Sequence, residues 1–208
     1  MIRPRPLFFL TLFVLSVAAA SAAPWSYSLG VSVQDITWED EDAGGERVFV
    51  QEQAAGLDVR GSAILPNTDF YYGTFINLSA PFVRVVDHPE AEDLDYSSPT
   101  YNLSAAVGIP LGWRWRIADE RMGLYVGAGP AFQMLFDFDD HWQGSGGLVL
   151  EFGLETLKTE GVGISVGTRA ILPFGAFSVA AGRDEVADPV LPVGATFHVG
   201  ISWTGERD

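Results

Sequence analysis

The sequence predicts an all-β protein, namely an eight-stranded antiparallel up-and-down transmembrane β-barrel with four long loops at one end. Three observations lead to this fold class. Apolar residues recur at every second position in eight separate segments, which is the period of a strand with two unlike faces. The connections between these segments alternate between short and long. The bulky side chains share one face, whereas the other face carries mostly Gly, Ala and Ser.

The first residues are predicted to form a secretory signal peptide. Arg3 and Arg5 supply its positive start, residues 7–17 are apolar, and residues 20–23 (ASAA) offer a small-residue cleavage site. A membrane-anchoring helix is the alternative, but the apolar run is short. We therefore predict a cleaved signal peptide at residues 1–23 and a single outer-membrane barrel domain at residues 24–208.

The composition excludes several other classes of protein. The chain has a net charge of −15 and no cysteine, so neither a lipidated cysteine nor a disulfide is available. Such an acidic chain without a basic patch should repel nucleic acid, and we expect no nucleic-acid partner. Because 48% of the residues are apolar and 12% aromatic, disorder is also excluded.

Eight alternating segments follow in order along the mature chain. Their apolar stripes cover residues 25–33, 55–63, 70–82, 101–117, 124–138, 148–154, 162–172 and 193–203. Turn-forming residues predict short turns at 66–69, 118–121 and 158–161. The longer connections, at 39–46, 85–99, 139–146 and 175–191, carry most of the acidic residues. No segment after the signal has a helical period, so we expect little helix.

The size of the side chains indicates which face meets lipid. Eight strands enclose barely enough room for their own inward side chains. In the fifth segment, "LYVGAGPAFQMLFDF", the even positions from Leu124 to Phe138 are all apolar, whereas odd positions include Gly127, Gly129 and Gln133. Bulky residues inside would overpack the lumen, so a soluble barrel with an apolar interior is disfavoured. We predict that the bulky face meets hydrocarbon.

Aromatic residues cluster where the stripes end. Such clusters are typical of the two membrane interfaces of an outer-membrane barrel. At the short-turn end we predict interface positions for Trp25, Phe70, Tyr72, Trp113, Trp115 and Trp203; at the loop end, for Phe82, Phe136 and Phe138.

The fifth segment resembles part of the outer-membrane protein W (OmpW) family of barrels, with OmpX- and OmpA-like eight-stranded barrels as near relatives. The similar residues are Tyr125-Val126-Gly127-Ala128-Gly129 and Phe136-Asp137. The resemblance implies an outer-membrane location, passage of small hydrophobic molecules, and insertion by the barrel-assembly machinery. The chain departs from the family pattern at its end, where Trp203 is followed by Thr-Gly-Glu-Arg-Asp instead of closing on an aromatic residue.

Few inward positions carry polar or charged side chains. Turn geometry predicts that Glu151 lies across from Arg169, Asp58 near Asn77, and Arg114 beside Tyr125. Enclosed charges must be paired, so these residues are expected either to plug the lumen or to form a gate whose ion pairs part. The predicted lumen network comprises Asp58, Arg60, Asn77, Arg114, Arg116, Tyr125, Glu151, Glu155, Arg169 and His198.

Pro130 is unusual because it lies inside the fifth segment of a sheet that has no edge. Proline cannot donate to the ladder, so either a harmless bulge forms or one interstrand hydrogen bond is lost. The second alternative suggests a lateral opening near Pro130, with Gly127 and Gly129 leaving space on the inner side.

Neither catalysis nor metal binding is predicted. His198 and Ser202 are the one inward nucleophile-and-base candidate, but four residues apart on a strand they cannot meet. Residues Asp137, Asp139, Asp140 and His141 lack the spacing of a dedicated calcium loop, and the sequence suggests no cofactor.

The sequence therefore predicts a barrel in contact with outer-membrane lipid that forms a narrow channel for small apolar solutes. The alternative is a surface-exposed barrel with a plugged lumen, whose acidic loops act in adhesion or partner binding.

Overall fold

The computed structural model describes residues 25–41, 45, 47–65, 68–87, 95–118, 122–137, 141–156, 162–180 and 191–204. The predicted signal peptide, Phe138, Asp139 and Asp140 lie outside these residues. Ten strands are present in the described part of the chain: β1 (Trp25–Glu41), β2 (Arg47–Ile64), β3 (Phe70–Asp87), β4 (Asp95–Ser97), β5 (Leu103–Gly108), β6 (Leu111–Ile117), β7 (Met122–Asp137), β8 (His141–Thr156), β9 (Val162–Ala180) and β10 (Val193–Thr204).

The strands form one closed antiparallel ring, which confirms the predicted fold class. β1 pairs with both β2 and β10, and the ring continues through β9, β8, β7, the β5–β6 pair and β3 back to β2. β5 and β6 are two halves of one ring strand, interrupted at Ile109–Pro110, and β4 adds a short pairing to the loop end of β3. The ring therefore has eight members.

The bulky apolar side chains face outward. Val31, Leu57 and Ile164 are 65%, 57% and 57% exposed, whereas Asp58 and Glu151 are 2% and 3% exposed. This arrangement keeps the small lumen from being overpacked. In the described residues, no helix is long and apolar enough to span a membrane.

The strands continue well into the segments predicted as long loops. β1 reaches Glu41, β2 starts at Arg47, β8 starts at His141 and β9 ends at Ala180. β3 also runs to Asp87, and β4 lies within the predicted loop at 85–99. The predicted boundaries at 39–46, 85–99, 139–146 and 175–191 are therefore wrong. On β2, the outward positions change from Leu57 and Ala55 to Gln53 and Gln51, so the alternation ends where the outer face becomes polar. Backbone pairing continues beyond that level, because water and lipid both permit a hydrogen-bonded ladder.

Pro81 and Pro173 each lie opposite a shift in the register of strand pairing. The register shifts between Gln53 and Ala54, opposite Pro81, and between Gly146 and Gly147, opposite Pro173. Each bulge leaves the phenylalanine after the proline unpaired and exposed, Phe82 by 58% and Phe174 by 77%. These bulges accommodate residues that cannot donate to the ladder.

Candidate functional site

The interior of the barrel is layered along its axis. On β7, the inward side chains run from Tyr125 through Ala131 and Gln133 to Leu135, counted from the short-turn end. Taken over the whole ring, the buried residues form a charged layer, a lower apolar layer, a polar layer and an apolar chamber at the mouth. This order is possible because successive side chains of a strand point to opposite faces, so the residues that line the lumen can vary while the residues that face lipid stay apolar.

The charged layer is centred on Arg60. Its guanidinium lies 4.0 Å from the centroid of the Tyr125 ring and 5.5 Å from that of Tyr71. Its nitrogens are 3.3 Å from Glu151 Oε1 and 3.5 Å from Glu155 Oε2. Tyr71 also donates a hydrogen bond to Glu151. The two rings thus hold the cation between two carboxylates, a favourable arrangement for a buried arginine.

A second cation, Arg169, connects β9 with β2, which are separated in the ring by β10 and β1. It donates two hydrogen bonds to Asp58 of β2, one of them 3.0 Å long, and its guanidinium lies 4.2 Å from the Phe75 ring centroid. It is paired in register with Glu151 of β8, but the Arg169 Nε to Glu151 Oε2 distance is 3.5 Å, an ion pair without a hydrogen bond. Asp58 in turn accepts a 3.4 Å hydrogen bond from Asn77.

The layer contains equal numbers of buried positive and negative groups. Arg114 donates to Glu155, which completes a set of three arginines and three carboxylates, each at most 6% exposed. Balanced pairing is needed here because an unpaired charge in the lumen would be costly. His198 is buried and lies 3.3 Å from the Tyr125 hydroxyl. Arg116, predicted in the network, is exposed at the short-turn end of β6.

The lower apolar layer lies next to the charged layer, on the side toward the mouth. It consists of Phe75, Ala106, Ala131, Val149 and Ile171, all at most 8% exposed. The Phe75 ring occupies the space beside Gly108, where an added Cβ would lie 2.5 Å from the ring. Ala131 adjoins Pro130, so the inner wall is apolar at the height of that proline.

The polar layer contains groups that lack partners. Ser79 donates to Gln34 Oε1 at 2.6 Å. In the described part of the chain, neither the amide nitrogen nor the amide oxygen of Gln133 makes a hydrogen bond, although Gln133 is only 1% exposed. Gln34 Nε2 is likewise without a partner among the described residues. Unsatisfied buried amides are uncommon and call for a physical explanation.

At the mouth, the lumen is apolar again. Ile36, Trp38, Val48, Val50, Leu135 and Tyr101 form a buried cluster that we call the mouth chamber. Tyr101 enters it from the segment before β5, and its ring lies 5.8 Å from the Trp38 ring in an edge-to-face arrangement. Its hydroxyl donates to Gln143 Oε1 at 3.2 Å. Burial raises the pKa of Tyr101 to about 12, so the hydroxyl keeps its proton at neutral pH.

Glu52 holds the segment that carries Tyr101. Its carboxylate accepts a hydrogen bond from the Thr100 backbone N–H, and its side chain is fully buried opposite Arg84. Burial raises the pKa of Glu52 above its ordinary value of 4.5. On the other side, the Asn102 N–H donates to the Phe136 carbonyl at 2.7 Å. Thr100 and Tyr101 are thus fixed from both sides of the mouth.

Near Pro130, β7 pairs with β8 in an unbroken register, whereas its other neighbour is interrupted between β5 and β6. Pro130 pairs with Leu148 of β8 and its carbonyl accepts the Ile109 N–H at 3.0 Å. The return hydrogen bond to Ile109 is missing, since proline has no N–H, and the ring strand breaks into β5 and β6 at this point. The space expected beside Gly127 is filled by the Tyr71 hydroxyl, and that beside Gly129 by the Ile109 carbonyl.

The predicted interface aromatics lie in contact near the short-turn end. Trp203 stacks on Tyr27, Tyr27 on Trp25, and Trp25 meets Tyr72 edge to face, with centroid distances of 6.1, 6.1 and 5.4 Å. Phe70 and Trp113 form another edge-to-face pair, and Trp115 is 44% exposed. Toward the loop end, Phe177 packs against Phe132 and Trp142.

Several lumen residues are absent from the sequence prediction. Tyr71 and Phe75 alternate inward with the predicted outward residues of β3, so period-2 counting could have found them. Ile36 and Trp38 follow in the same way from the odd outward positions of β1. The predicted position of Tyr101, at the start of an outward stripe, is wrong because the chain bends at Asn102 and buries the ring inside. Among the described residues, no group of three His, Cys, Asp or Glu side chains is placed to hold a metal ion.

No family model matches the chain, and no curated protein matches it in sequence. Among solved structures, it is similar to outer membrane protein OprG from Pseudomonas aeruginosa, with a TM-score of 0.58 and 12% identity over 89% of this chain and 97% of OprG. It is similar to outer membrane protein AlkL, with a TM-score of 0.57 and 13% identity over 89% and 91% of the two chains. It is also similar to Neisserial surface protein A, with a TM-score of 0.50 and 11% identity over 84% of this chain and 95% of that protein. The chain therefore has the fold of the small eight-stranded outer-membrane β-barrels.

Proposed function

We propose that the chain is an outer-membrane barrel that admits small apolar molecules through its mouth and releases them sideways into the bilayer. The observation that carries this proposal is the lower apolar layer, which adjoins the break at Ile109–Pro110 and the donor-less Pro130. An apolar solute at that height would meet apolar side chains on the inside and hydrocarbon on the outside.

The charged layer makes the straight route unfavourable. A solute that continued toward the short-turn end would have to separate Arg169 from Asp58 and Arg60 from Glu151. Breaking a buried pair costs about 3–5 kcal/mol. A sideways route above this layer avoids that cost. It requires only that β7 part locally from β5 and β6, where one ladder hydrogen bond is already missing.

The test combines two measurements on the refolded mature chain. Proteoliposomes should take up an apolar dye faster than protein-free vesicles, while planar bilayers containing the same protein should show little ion conductance, because the charged layer stays closed. Large ion conductance would contradict the sideways route. Dye uptake no faster than in protein-free vesicles would overturn the proposed function.

A second function has an observation of its own. Beyond the lipid-facing band the strands carry exposed aromatic residues, with Phe49 48% and Tyr96 69% exposed. Aromatic side chains are frequent anchors in protein–protein contacts. A barrel that uses its loop end for adhesion would bind partner surfaces without dye uptake, so the same vesicle experiment separates the two functions.

A further inference from the structure

The position of Tyr101 identifies a site inside the mouth of the barrel. β5 alternates with its even residues inward, as Ser104 and Ala106 show by being at most 2% exposed. Continued backward, this register would point residue 101 outward. The chain instead bends at Asn102 and sends the Tyr101 ring into the mouth chamber, where it is 7% exposed. The ring therefore reaches the chamber from a connecting segment and not from a wall strand.

The chamber fits a phenol ring in three respects. Trp38 presents an aromatic partner at 5.8 Å with an interplanar angle of 64°, which is a favourable geometry for two rings. Ile36, Val50 and Leu135 surround it with aliphatic surface. Gln143 is 3% exposed, and its Oε1 accepts a hydrogen bond from the Tyr101 hydroxyl at 3.2 Å. A buried acceptor placed in this way favours a solute that has one hydroxyl group over a pure hydrocarbon.

The polar layer below the chamber supplies a second, independent observation. Gln133 precedes Leu135 by one inward position on β7 and is 1% exposed, yet both of its amide atoms lack a partner among the described residues. Gln34 Nε2 lies in the same layer, and a Cβ on Gly194 would be within 3.5 Å of both amides. These amides could exchange hydrogen bonds with a hydroxyl group that moves down from Gln143.

We propose that the mouth chamber is a binding site for phenols, meaning single aromatic rings with one hydroxyl group, and that Tyr101 occupies this site when no solute is bound. The inference rests on the proposed uptake function, for which it names the class of solute. A bound phenol takes the place of the Tyr101 ring and releases the segment from Ser98 to Tyr101. The Thr100–Glu52 hydrogen bond then determines how readily the segment returns.

The absence of cysteine from the chain allows a direct test of this displacement. A spin label on Ser98→Cys reports the mobility of the segment, and the same label on the exposed Arg47→Cys serves as the control for general effects on the barrel. We expect p-cresol, which is the tyrosine side chain as a free molecule, to mobilise the label at position 98 in a saturable manner and to leave the label at position 47 unchanged. Toluene, which lacks the hydroxyl, should need about fivefold higher concentration.

Two further variants identify the hydrogen bond. In the labelled protein, Gln143→Leu should make p-cresol and toluene act at the same concentration, because the acceptor is gone. Tyr101→Phe should lower the p-cresol concentration needed by about fivefold, because the resident ring loses its own hydrogen bond. Unchanged selectivity in Gln143→Leu would overturn the assignment of the acceptor and with it the preference for phenols.

The outcomes separate this inference from the proposed function. If p-cresol mobilises neither label at any concentration that leaves the barrel folded, the phenol site is overturned, even where proteoliposomes take up the apolar dye. If p-cresol mobilises only the label at position 98 but dye uptake is absent, the site is supported and the channel is overturned. Equal mobilisation at positions 98 and 47 would also overturn the site.

Discussion

Arg169 and Asp58 meet across the lumen through two hydrogen bonds, although the strand register sets Arg169 opposite Glu151. Glu151 keeps two other partners, Arg60 and Tyr71. Removal of Arg169 would therefore isolate Asp58 more than Glu151. The cross-strand register alone does not identify which ion pair holds the charged layer together.

The Arg169→Met variant should be destabilised by about 3–5 kcal/mol, because Asp58 would remain buried without its main cation. Adding Asp58→Asn should recover a large part of this loss, whereas adding Glu151→Gln should recover little. Urea midpoints of the three refolded variants in detergent measure the effect. Equal recovery by Asp58→Asn and Glu151→Gln would show that Arg169 is shared evenly between the two carboxylates.

The Pro130→Val variant should stabilise the wall and slow the uptake of apolar solutes. Valine supplies the backbone N–H that can return a hydrogen bond to Ile109, whose own N–H already donates to residue 130. Pro173→Val, at the bulge between β8 and β9, is the matched control and should leave uptake unchanged. A well-folded Pro130→Val barrel with wild-type dye uptake would remove the reason for placing the exit there.

Glu52 should make stability depend on pH. Its pKa in the folded protein is raised by burial above the ordinary 4.5, so the native state holds the proton more tightly than the unfolded chain. The contribution of Glu52 to stability therefore falls as pH rises from about 4.5 through the raised pKa. Glu52→Gln should be more stable than the wild type at pH 7, and this difference should shrink as pH is lowered toward 4.5. A difference in urea midpoint that stays constant over this range would contradict the burial of an ionised Glu52.

Gly153 is required by the packing of the charged layer. An added Cβ would lie 2.2 Å from the Tyr125 hydroxyl and 2.7 Å from the Val166 carbonyl. Gly153→Ala should therefore cost about 1–3 kcal/mol through overpacking. Gly146→Ala on the same strand meets no atom within 4 Å and should stay within about 0.5 kcal/mol of the wild type. Thermal unfolding in detergent compares the two, and equal midpoints would mean that the lumen can expand to accept a methyl group.

The pattern of residues along the chain is sufficient for the architecture. Alternation of bulky and small residues is sufficient to predict eight strands, their outward face and the pairing of Glu151 with Arg169 in register, because side-chain direction along a strand repeats every two residues. The true extent of the strands is a property of the folded barrel, because the alternation of side chains stops where the lipid stops while the backbone ladder continues. The three-dimensional fold also sets which charges meet. Arg169 reaches Asp58 across two intervening strands. Such a contact depends on the closure and the diameter of the ring, which no local sequence pattern predicts.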